Sequence, residues 1–307
     1  MISTRIFKII ENYYKIVKKI GYQPFINSGQ FLYEYKNKKI LEFIEKNIDV
    51  QFLYNQILSN NLEVTSSDTI WISWLQGEDS APYIVKKCIK SVREQANGRN
   101  LIIITEANFQ EFVELPLEII RKYKQGSISR THFSDCIRLN LLSQKGGLWI
   151  DATIFLTKDV VDEFTGVEFL SIHSDNLPLH PISKGLWSTF FMYSPRNYPL
   201  LQLAASIFNQ YFIQYNQIID YFLLDYVLLL AVRMTGMEEI LRNKKINGNE
   251  RFYLFGKLND VMSDEIKDKI NASYGVHKLT YKKKYTNFKN NHETVYHYYL
   301  GKEEMET

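Results

Sequence analysis

The chain has 307 residues, of which 45% are hydrophobic and 23% are charged, a composition that indicates a globular protein and excludes a disordered one. Its net charge of +3 is too small to indicate nucleic-acid binding. The two cysteines, Cys88 and Cys136, exclude a disulfide-rich scaffold and favour a reducing compartment.

No segment is expected to cross a membrane or to direct secretion. The most apolar stretch, residues 221–232, contains Asp225 and is shorter than the about 20 apolar residues that a membrane-spanning helix needs. Arg5, Lys8 and Glu11 interrupt the first apolar positions, so we expect no signal peptide. The sequence therefore predicts a cytoplasmic protein.

Residues 1–62 are predicted to be helical. Over the first 20 residues apolar side chains recur at helical spacing, and most of the basic residues fall on the other face. Such a helix either docks on the domain with its basic face in solvent, or lies peripherally on an anionic surface such as the inner membrane leaflet. A second helix is predicted over residues 40–58, after a turn near Gly29.

From residue 63 onward the chain alternates between strands and helices. Short runs of β-branched and aromatic residues predict strands, and longer amphipathic segments predict helices. The alternation indicates an α/β fold with a Rossmann-like, mostly parallel sheet flanked by helices. We expect one catalytic domain over residues 63–307, preceded by the helical extension. The predicted strands are 69–75, 101–105, 148–150, 168–173 and 188–193, and the predicted helices are 83–92, 108–123 with a break at Pro116, 197–215 and 220–234.

The stretch 133–158 carries the clearest chemical signal. An apolar helix bears Asp135 and Arg138, which are three positions apart and therefore share a face. They form either a simple intrahelical ion pair or part of a site, and because the helix is mostly apolar its charges fall where burial is costly.

A glycine pair and a short strand follow this helix and lead to Asp151. Open α/β sheets bind ligands at the carboxyl ends of their strands, so Asp151 is the first candidate for a functional side chain. Thr153 lies two residues later, and pleating places the two on one side. Together they are suited to contact a metal ion or a phosphate group.

Asp225 is a further candidate because it interrupts an otherwise apolar helix. An uncompensated charge in such a position costs several kcal/mol. Asp225 must therefore be paired or must face a cleft.

Three sequence blocks stand in a set order: Trp71-x-x-Trp74-Leu75-Gln76-Gly77, Ser134-Asp135-x-x-Arg138 and Gly146-Gly147-x-Trp149-x-Asp151. In combination they resemble the capsular polysaccharide synthesis glycosyltransferases, which are relatives of the larger sugar transferases that carry a DXD motif. The resemblance covers residues 66–300. It implies a GT-A fold, a nucleotide-diphosphate sugar as donor, a divalent cation (Mn²⁺ or Mg²⁺) and retention of anomeric configuration.

The resemblance also implies roles for single residues. Trp74, Gln76 and Gly77 would contact the base and ribose of the donor. Ser134, Asp135 and Arg138 would lie beside the donor, with Asp135 on sugar hydroxyls and Arg138 on sugar or phosphate. An acid on the acceptor side corresponds to Asp225, which would bind the acceptor hydroxyl or support the donor sugar.

Asp151 would be the first acid of the DXD motif and contact the cation, but here the motif reads Asp151-Ala152-Thr153. A neutral hydroxyl is a weaker ligand for a hard cation than a carboxylate. Either the metal site is completed elsewhere or the cation is held mainly by the diphosphate. The family pattern suggests His277 as the further metal ligand, with His297 as its rival, and Lys278 as the cation for the leaving diphosphate.

The sequence thus predicts a hexosyltransferase that moves a sugar from UDP-Gal or UDP-Glc to an undecaprenyl-diphosphate-linked glycan, with no nucleic-acid partner. One alternative is a metal-dependent phosphoesterase that uses Asp135, Asp151 and His277. The other is a catalytically silent relative that binds a sugar nucleotide.

Overall fold

A computed structural model describes residues 4–20, 23–175, 182–243 and 246–301 of the chain. Three helices come first, and a region of mixed helices and strands follows. No helix in the described ranges is long and apolar enough to cross a membrane. The helices are α1 (Thr4–Ile20), α2 (Gln23–Asn47), α3 (Val50–Asn60), α4 (Tyr83–Glu94), α5 (Phe109–Phe112), α6 (Leu117–Lys124), α7 (Arg130–Gln144), α8 (Pro199–Gln214), α9 (Leu223–Thr235), α10 (Glu238–Asn243), α11 (Tyr253–Lys257) and α12 (Asp264–Ala272).

The strands form one large sheet and two small ones. The large sheet has the order β2-β1-β3-β6-β5-β7, while β4 pairs with β8 and β9 pairs with β10. Strand β1 is parallel to both β2 and β3, β7 is parallel to β5, and β6 is antiparallel to both β3 and β5. The predicted α/β class with a mostly parallel sheet is therefore confirmed. The strands are β1 (Ile70–Ser73), β2 (Leu101–Ile104), β3 (Gly147–Ile150), β4 (Ile154–Leu156), β5 (Leu170–His173), β6 (Phe191–Ser194), β7 (Ile246–Asn247), β8 (Val276–Lys278), β9 (Phe288–Lys289) and β10 (His292–Glu293).

Alternate residues of the central strands enter two separate cores. On β1, Ile70 and Ile72 pack on one face with apolar residues of α4, whereas Trp71 packs on the other face with α7, α8 and α9. Both faces of the sheet are therefore covered, which explains why the sequences of these strands are unbroken runs of apolar residues.

The order of strands places a crevice at one edge of the sheet. The chain passes from β1 through α4 to β2 on one side, and then returns through α5, α6 and α7 to β3 on the other side of β1. Such a reversal opens a crevice beyond the carboxyl ends of the two diverging strands. The residues that follow β1 and β3 therefore face a common space.

The glycine pair before β3 is required by close backbone packing. Gly146 and Gly147 have φ angles of +67° and +105°, which favour glycine. A Cβ atom at Gly147 would collide with the carbonyl oxygen of Thr69, and one at Gly146 would collide with the backbone nitrogen of Arg196. The pair thus permits the close approach that seats β3 in the sheet.

The structure corrects the turn predicted near Gly29, because α2 runs through this residue without a break. Gly29 lies against α1, where a Cβ atom would come within 2.8 Å of the Tyr14 and Val17 side chains. The glycine therefore allows two helices to pack closely. The chain instead turns before Val50, where the Asp49 side chain accepts a hydrogen bond from the backbone of Phe52 and caps α3.

The N-terminal helices share a core with the rest of the chain. Ile40, Ile44 and Val50 belong to the same apolar cluster as α8 and α9. Lys36 on α2 is fully buried and lies 2.8 Å from Glu11 of α1 and 2.8 Å from Asp220, just before α9. One buried ammonium group thus joins three parts of the chain. The domain boundary at residue 62 stays a prediction.

Replacing Lys36 by Ala should lower the free energy of unfolding by about 3–5 kcal/mol, because the carboxylates of Glu11 and Asp220 would lose their counter-charge in a buried place. Chemical denaturation measures the change. Lys38→Ala is the matched control, because Lys38 is 74% exposed and 4.0 Å from Glu42, and should cost at most about 1 kcal/mol. Equal losses in both variants would contradict a structural role for the buried ion pairs.

Candidate active site

A cleft of about 230 Å³ lies where β1 and β3 end beside α7. Most of the residues predicted from the sequence for donor binding and catalysis line it together. The lining residues are Ser73, Trp74, Leu75, Gln76, Arg130, Thr131, Ser134, Asp135, Arg138, Trp149, Asp151, Ala152, Thr153 and Tyr281. Predicted residues from three separate segments of the chain are thus brought into one space.

Asp151 is the centre of the hydrogen bonding in this cleft. Its Oδ1 accepts hydrogen bonds from Arg138 Nη2 and Trp149 Nε1, each at 2.9 Å. Its Oδ2 accepts a hydrogen bond of 2.6 Å from Lys278 Nζ. Burial alone would raise the pKa of Asp151, but the positive charges of Lys278 and Arg138 and the bonds from Lys278 and Trp149 outweigh it and lower the pKa to about 2. Asp151 is therefore a firmly ionised carboxylate.

Asp135 and Arg138 share a face of α7, as their spacing predicts. Asp135 Oδ1 lies 3.2 Å from Arg138 Nη1, and the residues are only 8% and 6% exposed. Burial raises the pKa of Asp135 to about 6, and the Asp151 and Asp225 charges add to the rise while Arg138 opposes it. The Arg138 guanidinium also lies over the Trp149 ring, 4.8 Å from its centroid. This pair is buried and packed against an aromatic ring, and it therefore differs from an exposed intrahelical ion pair, which contributes little to stability.

Asp225 lies in the first turn of α9 and is partly exposed. Its Oδ1 accepts a 2.9 Å hydrogen bond from Trp187 Nε1. Burial raises its pKa to about 6, against the hydrogen bond from Trp187 and the charge of Arg138. Asp225 forms no ion pair within the described part of the chain. Its partial burial near Arg138 therefore costs free energy.

Lys278 and His277 are neighbours on β8, and the structure separates them. Strand β8 pairs with β4, with Lys278 opposite Ile154 and His277 opposite Phe155. Successive side chains of a strand point to opposite faces, and here Lys278 reaches Asp151. The structure therefore corrects the position expected for His277, whose Nε2 lies 3.0 Å from Thr157 Oγ1. Its ring is fully buried, and this burial, with the Lys158 charge, lowers its pKa to about 4.

The remaining residues predicted for the donor fall at the rim of the cleft or beside it. Gln76 and Ser134 line the cleft, but Gly77 is not among the lining residues. The Trp74 ring meets the Tyr281 ring edge to face at 5.5 Å between centroids. Within the described part of the chain, Trp74 Nε1 and Arg138 Nε are buried donors without a hydrogen-bond partner. Buried donors of this kind are normally paired, and these two belong to side chains that line the cleft.

Reasoning from the sequence missed three contacts in and around the cleft. Trp149 Nε1 reaches Asp151, and the two-residue spacing along the strand could have indicated it. Tyr281 packs on Trp74, and Trp187 bonds to Asp225. No periodicity connects these last two aromatic residues to their partners, because both contacts depend on tertiary packing.

The side chains predicted to hold a divalent cation do not fit one. The cationic and N–H donors on Asp151 leave at most one of its about four lone-pair positions free, while hard cations need several oxygen ligands. Thr153 adds only a neutral hydroxyl, and His277 lies elsewhere. His297 lies 3.8 Å from Glu293 and does not line the cleft. Among the residues described, no three His, Cys, Asp or Glu side chains converge as a metal site.

The fold and the cleft define an α/β protein with a cleft lined by charged residues at the carboxyl edge of its sheet. A family model described as capsular polysaccharide synthesis protein matches residues 21–299. Because this match spans most of the 307 residues, the chain belongs to the capsular polysaccharide synthesis protein family. No curated protein sequence matches the chain with significance.

The raised pKa of Asp225 predicts that Asp225→Asn makes the protein more stable at neutral pH. The Asp225 carboxyl has a pKa of about 6 in the folded protein against an ordinary value of 3.8, so it binds its proton more tightly in the folded state. Its contribution to stability is therefore lost as pH rises from about 4 to about 6. Above this window we expect the Asn variant to exceed the wild type by roughly 1–3 kcal/mol.

Denaturation at a series of pH values measures this difference, which should shrink as pH falls from 6 to 4. The control is Asp268→Asn on the exposed face of α12, which should change stability by less than about 0.5 kcal/mol. A gain from Asp225→Asn that is the same at every pH would contradict the ionisation argument.

Proposed function

We propose that the protein transfers a hexose from a nucleotide-diphosphate sugar, UDP-Gal or UDP-Glc, to a lipid-linked glycan in surface polysaccharide synthesis. The observation that carries the proposal is the pair of cations, Arg138 and Lys278, fixed around Asp151 at the carboxyl edge of the sheet. Family membership supports a role in capsule synthesis. An undecaprenyl-diphosphate-linked oligosaccharide is the acceptor that such a role implies.

The two cations are suited to bind the donor diphosphate. Lys278 uses one of its three N–H groups on Asp151, and Arg138 uses one N–H group on Asp135 and one on Asp151 out of its five. Both therefore retain donors for phosphate oxygens while Asp151 fixes their positions. Charge-assisted hydrogen bonds of this type are stronger than neutral ones.

The aromatic pair Trp74 and Tyr281 is suited to the base of the nucleotide. The two rings meet at the opening of the cleft, and Tyr281 is 41% exposed. Aromatic faces stack on a base without regard to its identity, while Trp74 Nε1 offers a buried donor. This assigns the base to the β1 side of the cleft and the sugar to the α7 side.

The two acids with raised pKa values are suited to the sugar and the acceptor. Asp135 lies beside Arg138 and would accept hydrogen bonds from donor hydroxyls. Asp225 would orient the acceptor hydroxyl or support the donor sugar. A group with a pKa near 6 exchanges protons more readily near neutral pH than an ordinary carboxylate.

In the proposed reaction the acceptor oxygen attacks C1 of the sugar on the face that the diphosphate leaves. The bond from C1 to the phosphate oxygen breaks, and its electron pair stays on the diphosphate. The acceptor proton passes to that phosphate oxygen, so configuration at C1 is retained. Arg138 and Lys278 stabilise the negative charge that develops on the leaving group.

The metal-dependent phosphoesterase is less well supported. Two-metal hydrolysis needs several convergent carboxylates and histidines, and the described residues form no such group. A catalytically silent relative would bind the donor by the same residues, and a turnover assay separates it from a transferase.

Arg138→Ala should reduce hexose transfer by about 10²–10³-fold, because it removes a fixed positive charge from the developing anion. Asp151→Asn should reduce it by about as much, because the carboxylate no longer fixes Arg138 and Lys278. The measurement is UDP release from UDP-Gal and UDP-Glc, together with sugar incorporation into a lipid-linked acceptor. Lys282→Ala is the control, since Lys282 is exposed and does not line the cleft. Near-wild-type transfer by both site variants, with folding verified by thermal unfolding, would refute the proposed site.

A membrane surface is a second proposed partner, and α1 carries the observation that favours it. Large apolar side chains at alternating spacings of three and four residues form a stripe that is exposed along the whole helix. Lys8, Lys15, Lys18 and Lys19 are also exposed and form no ion pair within the described residues. Apolar contact and basic charge together suit the surface of anionic lipids. The stripe consists of Ile6, Ile9, Tyr13, Ile16 and Ile20.

The double variant Ile9→Glu/Ile16→Glu should abolish sedimentation with vesicles of phosphatidylcholine and phosphatidylglycerol, because it places charges in the apolar stripe. The control is Leu117→Glu, at an 83% exposed position on α6, which should bind as the wild type does. Wild-type protein that stays in the supernatant would refute the membrane proposal. So would a dimer in light scattering that the double variant dissociates, because the stripe would then be an interface between two copies.

A further inference from the structure

Donors that belong to the protein already fill three of the about four lone-pair positions of the Asp151 carboxylate. Two hydrogen bonds reach Oδ1 and one reaches Oδ2, and two of these three donors are cations. A divalent cation at Asp151 would have to share Oδ2 with Lys278 Nζ or displace Lys278 or Arg138, and in either position it would lie next to a fixed positive charge. Arginine cannot lose its charge to relieve the repulsion.

The charges of the site balance without a metal ion. Asp135, Asp151 and the nearby Asp225 carry at most three negative charges, and Arg138, Lys278 and Arg130, which lines the cleft, carry three positive charges. The carboxylates therefore offer no net negative charge to attract a divalent cation.

Both cations are held in place by more than Asp151. Arg138 lies over the Trp149 ring, and Lys278 Nζ lies 5.0 Å from the centroid of the Phe190 ring. The backbone of Lys278 is fixed by the pairing of β8 with β4 and by a 2.7 Å hydrogen bond from its nitrogen to the carbonyl oxygen of Arg251. Arg138 and Lys278 are therefore preorganised, as groups that stabilise a developing charge need to be.

We propose that donor binding and hexose transfer at this site need no divalent cation, because the N–H donors of Lys278 and Arg138 take the place of a metal ion on the leaving diphosphate. The inference rests on the proposed function and deepens it. The phosphate oxygen that leaves C1 keeps the electron pair of the broken bond and takes the acceptor proton. The two side chains donate hydrogen bonds to the other phosphate oxygens.

The test compares wild-type protein stripped with EDTA with the same protein supplied with Mn²⁺ or Mg²⁺. We expect UDP release, hexose transfer and the Kd of UDP in calorimetry to be the same in all three conditions. Activity that EDTA abolishes and Mn²⁺ restores would overturn the inference. If no condition gives transfer, the proposed function fails, and the Kd of UDP alone decides: unchanged affinity with EDTA supports a metal-free site, and metal-dependent affinity overturns it.

Variants at Lys278 test whether its charge is responsible. Lys278→Ala should lose about 100-fold or more in transfer with EDTA present, while Lys278→Arg should retain more of it because it keeps the charge. Since the Ala variant frees Asp151 Oδ2, we expect Mn²⁺ to recover part of its activity, whereas the wild type gains none. Lys282→Ala is the control and should match the wild type. Equal activity of the Ala and Arg variants, with thermal unfolding unchanged, would contradict the assigned role of the charge.

Discussion

The site depends on the carboxylate of Asp151 and the donors that meet on it. Arg138 comes from α7, Trp149 from β3 and Lys278 from β8, which is 127 residues further along the chain. Each donor is positioned by its own element, so the carboxylate ties the helix, the central sheet and the small β4–β8 sheet together. If Asp151 lost its charge, Arg138 and Lys278 would lose the counter-ion that they share and would repel each other in a largely buried place.

The buried charges of the molecule are compensated to different degrees. Lys36 is fully buried and meets two carboxylates, which is the arrangement of a structural ion pair. Asp135 and Asp225 are less well compensated, and burial raises the pKa of each to about 6. Perturbed acids beside a cleft indicate function more often than stability. The fold therefore tolerates less compensated charge around Arg138, while it neutralises the charge of Lys36.

Local rules predicted much of this arrangement. Alternating strands and helices indicated the sheet, the position of Asp151 after β3 placed it at the carboxyl edge, and a spacing of three residues put Asp135 beside Arg138. Packing between distant segments could not be predicted in this way. A glycine in the sequence is compatible both with a turn and with a close contact between helices. At Gly29 only the position of α1, which the sequence does not give, distinguishes the two. Tyr281 likewise reaches Trp74 through the path of a loop that no periodicity specifies.

The separation of His277 from Lys278 follows from strand geometry and decides the character of the site. Adjacent residues on one strand cannot both face the same cleft. Strand β8 therefore presents either an imidazole that can bind a metal ion or an ammonium group that replaces its charge, and its register with β4 presents Lys278. The hydroxyl of Thr153 in place of a second carboxylate fits this choice, since a second acid would leave negative charge that Lys278 and Arg138 do not balance. The departure from a two-acid motif and the orientation of β8 are thus two parts of one charge arrangement.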